Sequence, residues 1–224
     1  MYKPLVIGDL KAKLPIIQGG MGVGVSLSNL AGTVSALGGI GVISTAQIGF
    51  TEADFRKNPL KENLKMIGEH IKKAREIAPN GILGVNIMVA TKNYSLYVKE
   101  AIKSGIDIII SGAGLPIDLP QIAKGSKAKL VPIVSTFKSA NVILKIWDRK
   151  SKVAPDAVII EGPKAGGHLG FKAEELQAEE NNKENLNYDL EIKKIVTLVK
   201  DYEEKYKREI PVIIAGISLL YFSS

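Results

Sequence analysis

The chain repeats one unit: a short run of Ile, Val and Leu that ends at a small or polar residue, then an amphipathic stretch at helical spacing. The apolar runs are Leu14–Gln18, Ile40–Ser44, Ile82–Met88, Asp107–Ser111, Leu130–Ser135, Asp156–Glu161 and Pro211–Ala215. Between them, Leu27–Leu37 places Leu27, Leu30, Ala31, Val34 and Leu37 on one face, with Gly38 as a C-terminal cap. Leu60–Ala78 carries Leu60, Leu64, Ile67, Ile71, Ala74 and Ile77 at spacings of three and four. Tyr94–Lys103, Ile117–Ala123 and Lys138–Trp147 are shorter helical stretches, and Asp189–Tyr206 is a long one. Alternation of this kind predicts a parallel sheet with right-handed crossovers. Strand ends recurring at roughly 25-residue intervals favour an α/β fold of the (β/α)8 TIM-barrel type over an open sheet.

A closed barrel needs an eighth strand, and after Gly216 only Ile-Ser-Leu-Leu-Tyr-Phe-Ser-Ser remains. The expectation is one domain over residues 1–224, an incomplete barrel of seven strands with two unpaired edges. The polar stretch Lys172–Asn187 breaks the rhythm and reads as a surface excursion of the loop after the sixth strand.

Composition narrows the function classes. The chain has 224 residues, 46% of them hydrophobic and 24% charged, an ordinary globular mix with room for a sizeable core. It has no cysteine, which excludes disulfides, thiolate metal sites and cysteine nucleophiles, and agrees with a cytoplasmic location. The N-terminus lacks a signal-peptide pattern, and no apolar run approaches a membrane span. The net charge of +7 comes from lysines interleaved with glutamates, without the aromatic-interleaved basic patch that grips single strands. The reading is therefore a solvated basic surface, with neither a nucleic-acid nor a membrane partner, and no metal site.

In barrels the chemistry gathers at the C-terminal ends of the strands. The first strand ends in Gln18-Gly19-Gly20-Met21-Gly22-Val23-Gly24, the third contains Asn86 and Met88, and the fourth ends in Ser111-Gly112-Ala113-Gly114. The sixth runs into Glu161-Gly162-Pro163-Lys164-Ala165-Gly166-Gly167-His168-Leu169-Gly170. Glycines permit close backbone approach to a ligand. His168, one of two histidines, is the side chain that most readily exchanges a proton near neutral pH. Glu161 is placed either to orient His168 or to cap a loop amide. The other histidine, His70, sits in a charged amphipathic helix and is expected at the surface.

Leu14-Pro15-Ile16-Ile17-Gln18-Gly19-Gly20-Met21, Gly38-Gly39-Ile40-Gly41-Val42-Ile43-Ser44, Gly84-Val85-Asn86 and Ala165-Gly166-Gly167-His168 resemble the nitronate monooxygenases, formerly called 2-nitropropane dioxygenases. The resemblance runs from about residue 4 to residue 216, and its motifs keep their order along successive strands. The FMN-dependent enoyl-acyl-carrier-protein reductase II enzymes share much of this pattern. The resemblance implies an FMN-binding barrel that oxidises alkyl nitronates with molecular oxygen. It implies that Gly20, Met21 and Gly22 lie along the flavin, with Asn86 and Met88 at its edge and Gly167 approaching through its backbone. It further implies His168 as the active-site base or electrostatic partner, and Gly216 beside the phosphate. A homodimer is compatible with it.

The chain departs from the family after the seventh strand, where Ala215-Gly216-Ile217 holds one glycine in place of the usual pair. The family's following helix, eighth strand and Met-Gly-Thr-like turn have no counterpart. The chain as given is thus expected to bind FMN weakly and to be unstable or inactive alone. The rival activities are enoyl-acyl-carrier-protein reductase II and NAD(P)H:quinone reductase. The rival of another class is a non-catalytic barrel remnant.

Overall fold

The structure is a computed structural model and describes residues 3–162 and 188–216. It opens with an antiparallel hairpin, β1 (Leu5–Ile7) and β2 (Leu10–Ala12). Then follow α1 (Ser28–Ala36), β3 (Ile40–Ser44), α2 (Pro59–Ile77), β4 (Ile82–Met88), α3 (Tyr94–Lys103) and β5 (Ile108–Gly112). The rest comprises α4 (Leu119–Ile122), β6 (Lys129–Val134), α5 (Phe137–Ser151), β7 (Val158–Glu161), α6 (Tyr188–Tyr206) and β8 (Val212–Ala215). Strands β3 to β8 form one parallel sheet in sequence order, each beside its predecessor. That order, with helices between, is the wall of a (β/α)8 barrel through six strands.

One expectation is corrected, and one element was not expected. The segment Leu14–Gln18 is not a regular strand: it meets the sheet through one parallel bridge, Ile17 to Ile40. Its hydrogen bonds are Ile40 N–H to Ile16 O (2.9 Å) and Gln18 N–H to Ile40 O (3.0 Å), after which the main chain leaves the sheet. Pro15 has no N–H to give a ladder, and the glycines from Gly19 onward resist extension. The β1–β2 hairpin had no forecast. Its strands have three residues each, joined by Gly8-Asp9 with Gly8 at φ +61°.

Each strand divides its side chains between two cores, as a period of two requires. Along β4, Leu83, Val85 and Ile87 face the helices and join Ile43, Ile67, Ile71, Val98, Ile109 and Trp147 in the larger cluster. Ile40, Val42, Ile108, Ile110, Val131, Ala157 and Ile159 face the other way, into the barrel. Ile7 and Ala12 of the hairpin pack into this inner cluster, and an ion pair from Lys129 Nζ to Asp9 Oδ1 (2.5 Å) ties the hairpin turn to β6. The hairpin thus closes the barrel floor, leaving the C-terminal mouth for ligand.

Glycine sets the helix-to-strand spacing at one point. A Cβ on Gly41 of β3 would run into the Ala31 carbonyl of α1, so only glycine lets that helix lie so close. The expected cap at Gly38 is present with φ +95°, its N–H bonded to Ser35 O at 3.0 Å. Helix α5 starts on a capping box, Thr136 with Ser139, and runs four residues beyond Trp147. The sheet edges carry exposed apolar side chains, Ile214 at 60% and Ile16 at 56%.

Candidate functional site

The C-terminal ends of β3 and β4 hold the loop that follows Gln18. Asn86 and Met88 alternate with Val85 and Ile87, so they lie on the barrel-facing side of β4 near its end. The loop descends onto this ledge. A Cβ on Gly20 would collide with the Asn86 side chain, and one on Gly22 would sit 2.8 Å from Ala46 Cβ and 3.2 Å from Ser44 Oγ. Glycine is therefore the residue that lets the main chain lie on β3 and β4. Met21 between them is 47% exposed and Val23 46%, so the outward side of the loop is apolar. The structure brings Gly20, Met21, Gly22, Asn86 and Met88 together at one end of the barrel.

The loop is held by two side chains that the sequence reading passed over for any role. Gln18 donates from Nε2 to Val42 O (3.0 Å) and accepts at Oε1 from Val42 N–H (3.4 Å). Its amide supplies the next rung of the ladder that its own main chain began. Ser26, 0% exposed, donates from Oγ to Gly19 O (2.9 Å) and accepts from Met21 N–H (2.9 Å) and Gln18 Nε2 (2.9 Å). Its main chain joins Met21 and Ser44, through Ser26 N–H to Met21 O (2.9 Å) and Ser44 N–H to Ser26 O (2.8 Å). Gln18 was legible only as part of a motif. Ser26 had no signal, because a buried serine looks like any loop serine in sequence.

The far side of the mouth is built by β7 and β8. Glu161 ends β7 in register with Ala215, and Gly162 N–H bonds to Ala215 O (3.2 Å). Gly216 follows β8 at φ +154°, and a Cβ there would meet no described residue within 4 Å. The Tyr188 hydroxyl, at the start of α6, is buried with no hydrogen-bond partner among the described residues, 2.9 Å from where a Gly162 Cβ would stand. Burial first, then the Glu161 carboxylate, pushes its pKa up. Helix α6 is anchored at the mouth by Glu191 Oε2, which accepts Phe137 N–H (2.7 Å) at the start of α5. His168 and Gly167 lie outside the described residues, as does Lys172–Asn187.

His70 is not the surface side chain expected. It is half-buried on α2, with Nδ1 3.1 Å from Ser28 Oγ in the first turn of α1. Burial, then Lys73, lowers its pKa, with Glu69 and Glu52 opposing. Its contact with Ser28 ties α2 to the start of α1. No helix among the described residues is long and apolar enough to cross a membrane.

The chain matches the model of the nitronate monooxygenase family over residues 3–217. No curated protein matches it. Among solved structures it is similar to FabK from Thermotoga maritima, 24% identical with a TM-score of 0.57, covering 89% of this chain and 50% of that one. It is also similar to nitroalkane oxidase from Streptomyces ansochromogenes, 17% identical with a TM-score of 0.62, covering 90% of this chain and 58% of that one. The chain thus spans 50% and 58% of the length of these structures, and at such identities the likeness speaks for the barrel fold. The family match extends over nearly every residue, and on that ground the chain belongs to the nitronate monooxygenase family.

Proposed function

We propose that this chain forms the flavin-binding barrel of an FMN-dependent oxidoreductase, and that its reaction is the oxidation of alkyl nitronates by molecular oxygen. The observation that carries the reading is the Gly20-Met21-Gly22 loop laid on Asn86 at the barrel mouth, in a chain of this family. The residues present fit a planar cofactor. The loop lacks Cβ atoms where it meets the ledge, so a flat ring can approach its main chain, and Met21 and Met88 supply apolar surface around it. The Asn86 side-chain amide bonds to no described residue and is free to satisfy a polar ring edge.

FMN, when bound, supplies the electron transfer. The protein's own tasks are then binding, orientation, and management of one proton or one negative charge. Gly20, Met21, Gly22, Asn86 and Met88 serve the first two in this proposal, with Gly167 approaching the ring and Gly216 the phosphate. His168 takes the third. A neutral imidazole there accepts a proton from a nitroalkane carbon, and a protonated one balances the charge of a nitronate. In this proposal Glu161, the last residue of β7, orients His168 or caps an amide of the loop that follows.

Oxygen uptake by the FMN-supplied chain with propyl-3-nitronate, set against NADH oxidation with a crotonyl thioester, tests the reaction. Nitronate-dependent uptake supports the proposal. Thioester-dependent NADH oxidation alone replaces it with an enoyl-thioester reductase.

A further inference from the structure

We infer that Gln18 and Ser26 are positioning residues for the cofactor: their side chains fix the base of a loop that stands at the barrel mouth with several N–H groups unpaired among the described residues. The inference rests on the flavin reading above and adds two residues to it.

A seven-residue loop with three internal glycines, Gly20, Gly22 and Gly24, is costly to hold in one shape, because glycine loses the most backbone freedom on ordering. Left to itself, such a loop would continue the ladder along β3. Its own main chain supplies only Met21 N–H to Gly19 O (3.1 Å) and Ser26 N–H to Met21 O (2.9 Å), and side chains do the rest. The Gln18 amide pairs with both the N–H and the C=O of Val42, so β3's edge is satisfied by a side chain and the main chain is released at Gly19. The Ser26 hydroxyl then closes the loop's base, taking the Met21 N–H and giving its proton to Gly19 O. The N–H groups of Gly20, Gly22, Val23, Gly24 and Val25 find no acceptor among the described residues. Unpaired amides gathered at a strand end are donors for an electron-rich ligand.

Ser26 is fully buried. Its removal takes three hydrogen bonds from the base of the loop and leaves Met21 N–H and Gly19 O held by the 3.1 Å bond between them and by the Gln18 amide (3.2 Å), so the base loosens. The fraction of molecules with the loop in binding shape falls, and the apparent dissociation constant rises in proportion.

The test is a titration of FMN, followed by quenching of its fluorescence, into the wild-type chain, Ser26→Ala and Gln18→Met. Visible circular dichroism of the bound flavin and urea midpoints of the flavin-free proteins accompany it. The expected result is an FMN dissociation constant raised about tenfold or more in each variant, with a weakened flavin dichroic band and a urea midpoint close to wild type. Unchanged affinity and dichroism in both variants, with the wild type binding, overturns the inference and leaves the flavin reading standing. Loss of FMN only in step with collapsed urea midpoints in both variants also overturns it, since the residues are then structural. A folded wild type that does not bind FMN overturns the flavin reading itself, and the inference with it.

Discussion

Gly20 and Asn86 meet more closely than any other side chain at Gly20 would permit, so the pair gives a steric prediction independent of catalysis. Gly20→Ala should cost about 1–3 kcal/mol of stability by overpacking. The same change in an Asn86→Gly background should cost less, because the atoms it strikes are gone. A urea-denaturation cycle of the four proteins measures the coupling, and equal costs in both backgrounds would remove Asn86 as the obstacle. His70 gives a second prediction. Its pKa in the fold lies below that of the unfolded chain, since burial beside Ser28 and the charge of Lys73 disfavour the imidazolium. The unfolded chain therefore binds more protons below about pH 6.5, and stability rises with pH through that range. The contribution is fully present above about pH 6.5 and is lost as pH falls through the folded pKa. Urea midpoints from pH 5 to 8 should show that slope in the wild type and a shallower one in His70→Gln; parallel slopes would contradict the assignment.

At the scale of elements, the barrel floor carries one device twice. Asp107, just before β5, accepts Leu83 N–H at Oδ2 (2.8 Å) and gives its own N–H to Leu83 O (3.1 Å), while Arg75 bonds to the same carboxylate (2.7 Å) and to Gly81 O (2.6 Å). Asp156, two residues before β7, repeats this with Leu130 N–H (2.8 Å) and Leu130 O (3.0 Å), and Arg208 bonds to its Oδ1 (3.1 Å) and to Ala154 O (2.6 Å). Each carboxylate starts a strand pair that a ladder bond cannot start. Asp107→Ala and Asp156→Ala should each cost about 1–3 kcal/mol, because the N–H of a strand's second residue, Leu83 or Leu130, loses its acceptor. Arg75→Met should cost less, since that ion pair is about a quarter to a third exposed and screened by water. Urea denaturation decides, and aspartate variants within error of wild type would show the clamps to be idle. In sequence both aspartates looked like the first residues of strands, because nothing in a residue string marks an acid that caps its neighbour's N–H.

For the whole molecule, the alternation of Ile- and Val-rich runs with helical spacing was enough to place β3 to β8 in order, because each run can be buried only between barrel interior and helix layer. The hairpin escaped notice because three-residue strands carry too little periodicity, although Gly8-Asp9 was a usable turn signal. The site was half legible. Glycines that must lack a Cβ stand out as a pattern, whereas Gln18 and Ser26 act through distances of 24 and 7 residues that only the fold brings together. One FMN at the mouth of this barrel is the proposal on which the rest depends. Titrating FMN into the purified chain while recording the visible absorbance tests it most directly. Titration is preferred to inspection of co-purified colour because Gly216 stands alone where relatives are expected to carry a glycine pair. A saturable spectral shift with one flavin per chain, at weak affinity, is the expected result; free-FMN spectra throughout the titration of a folded protein would rule the site out.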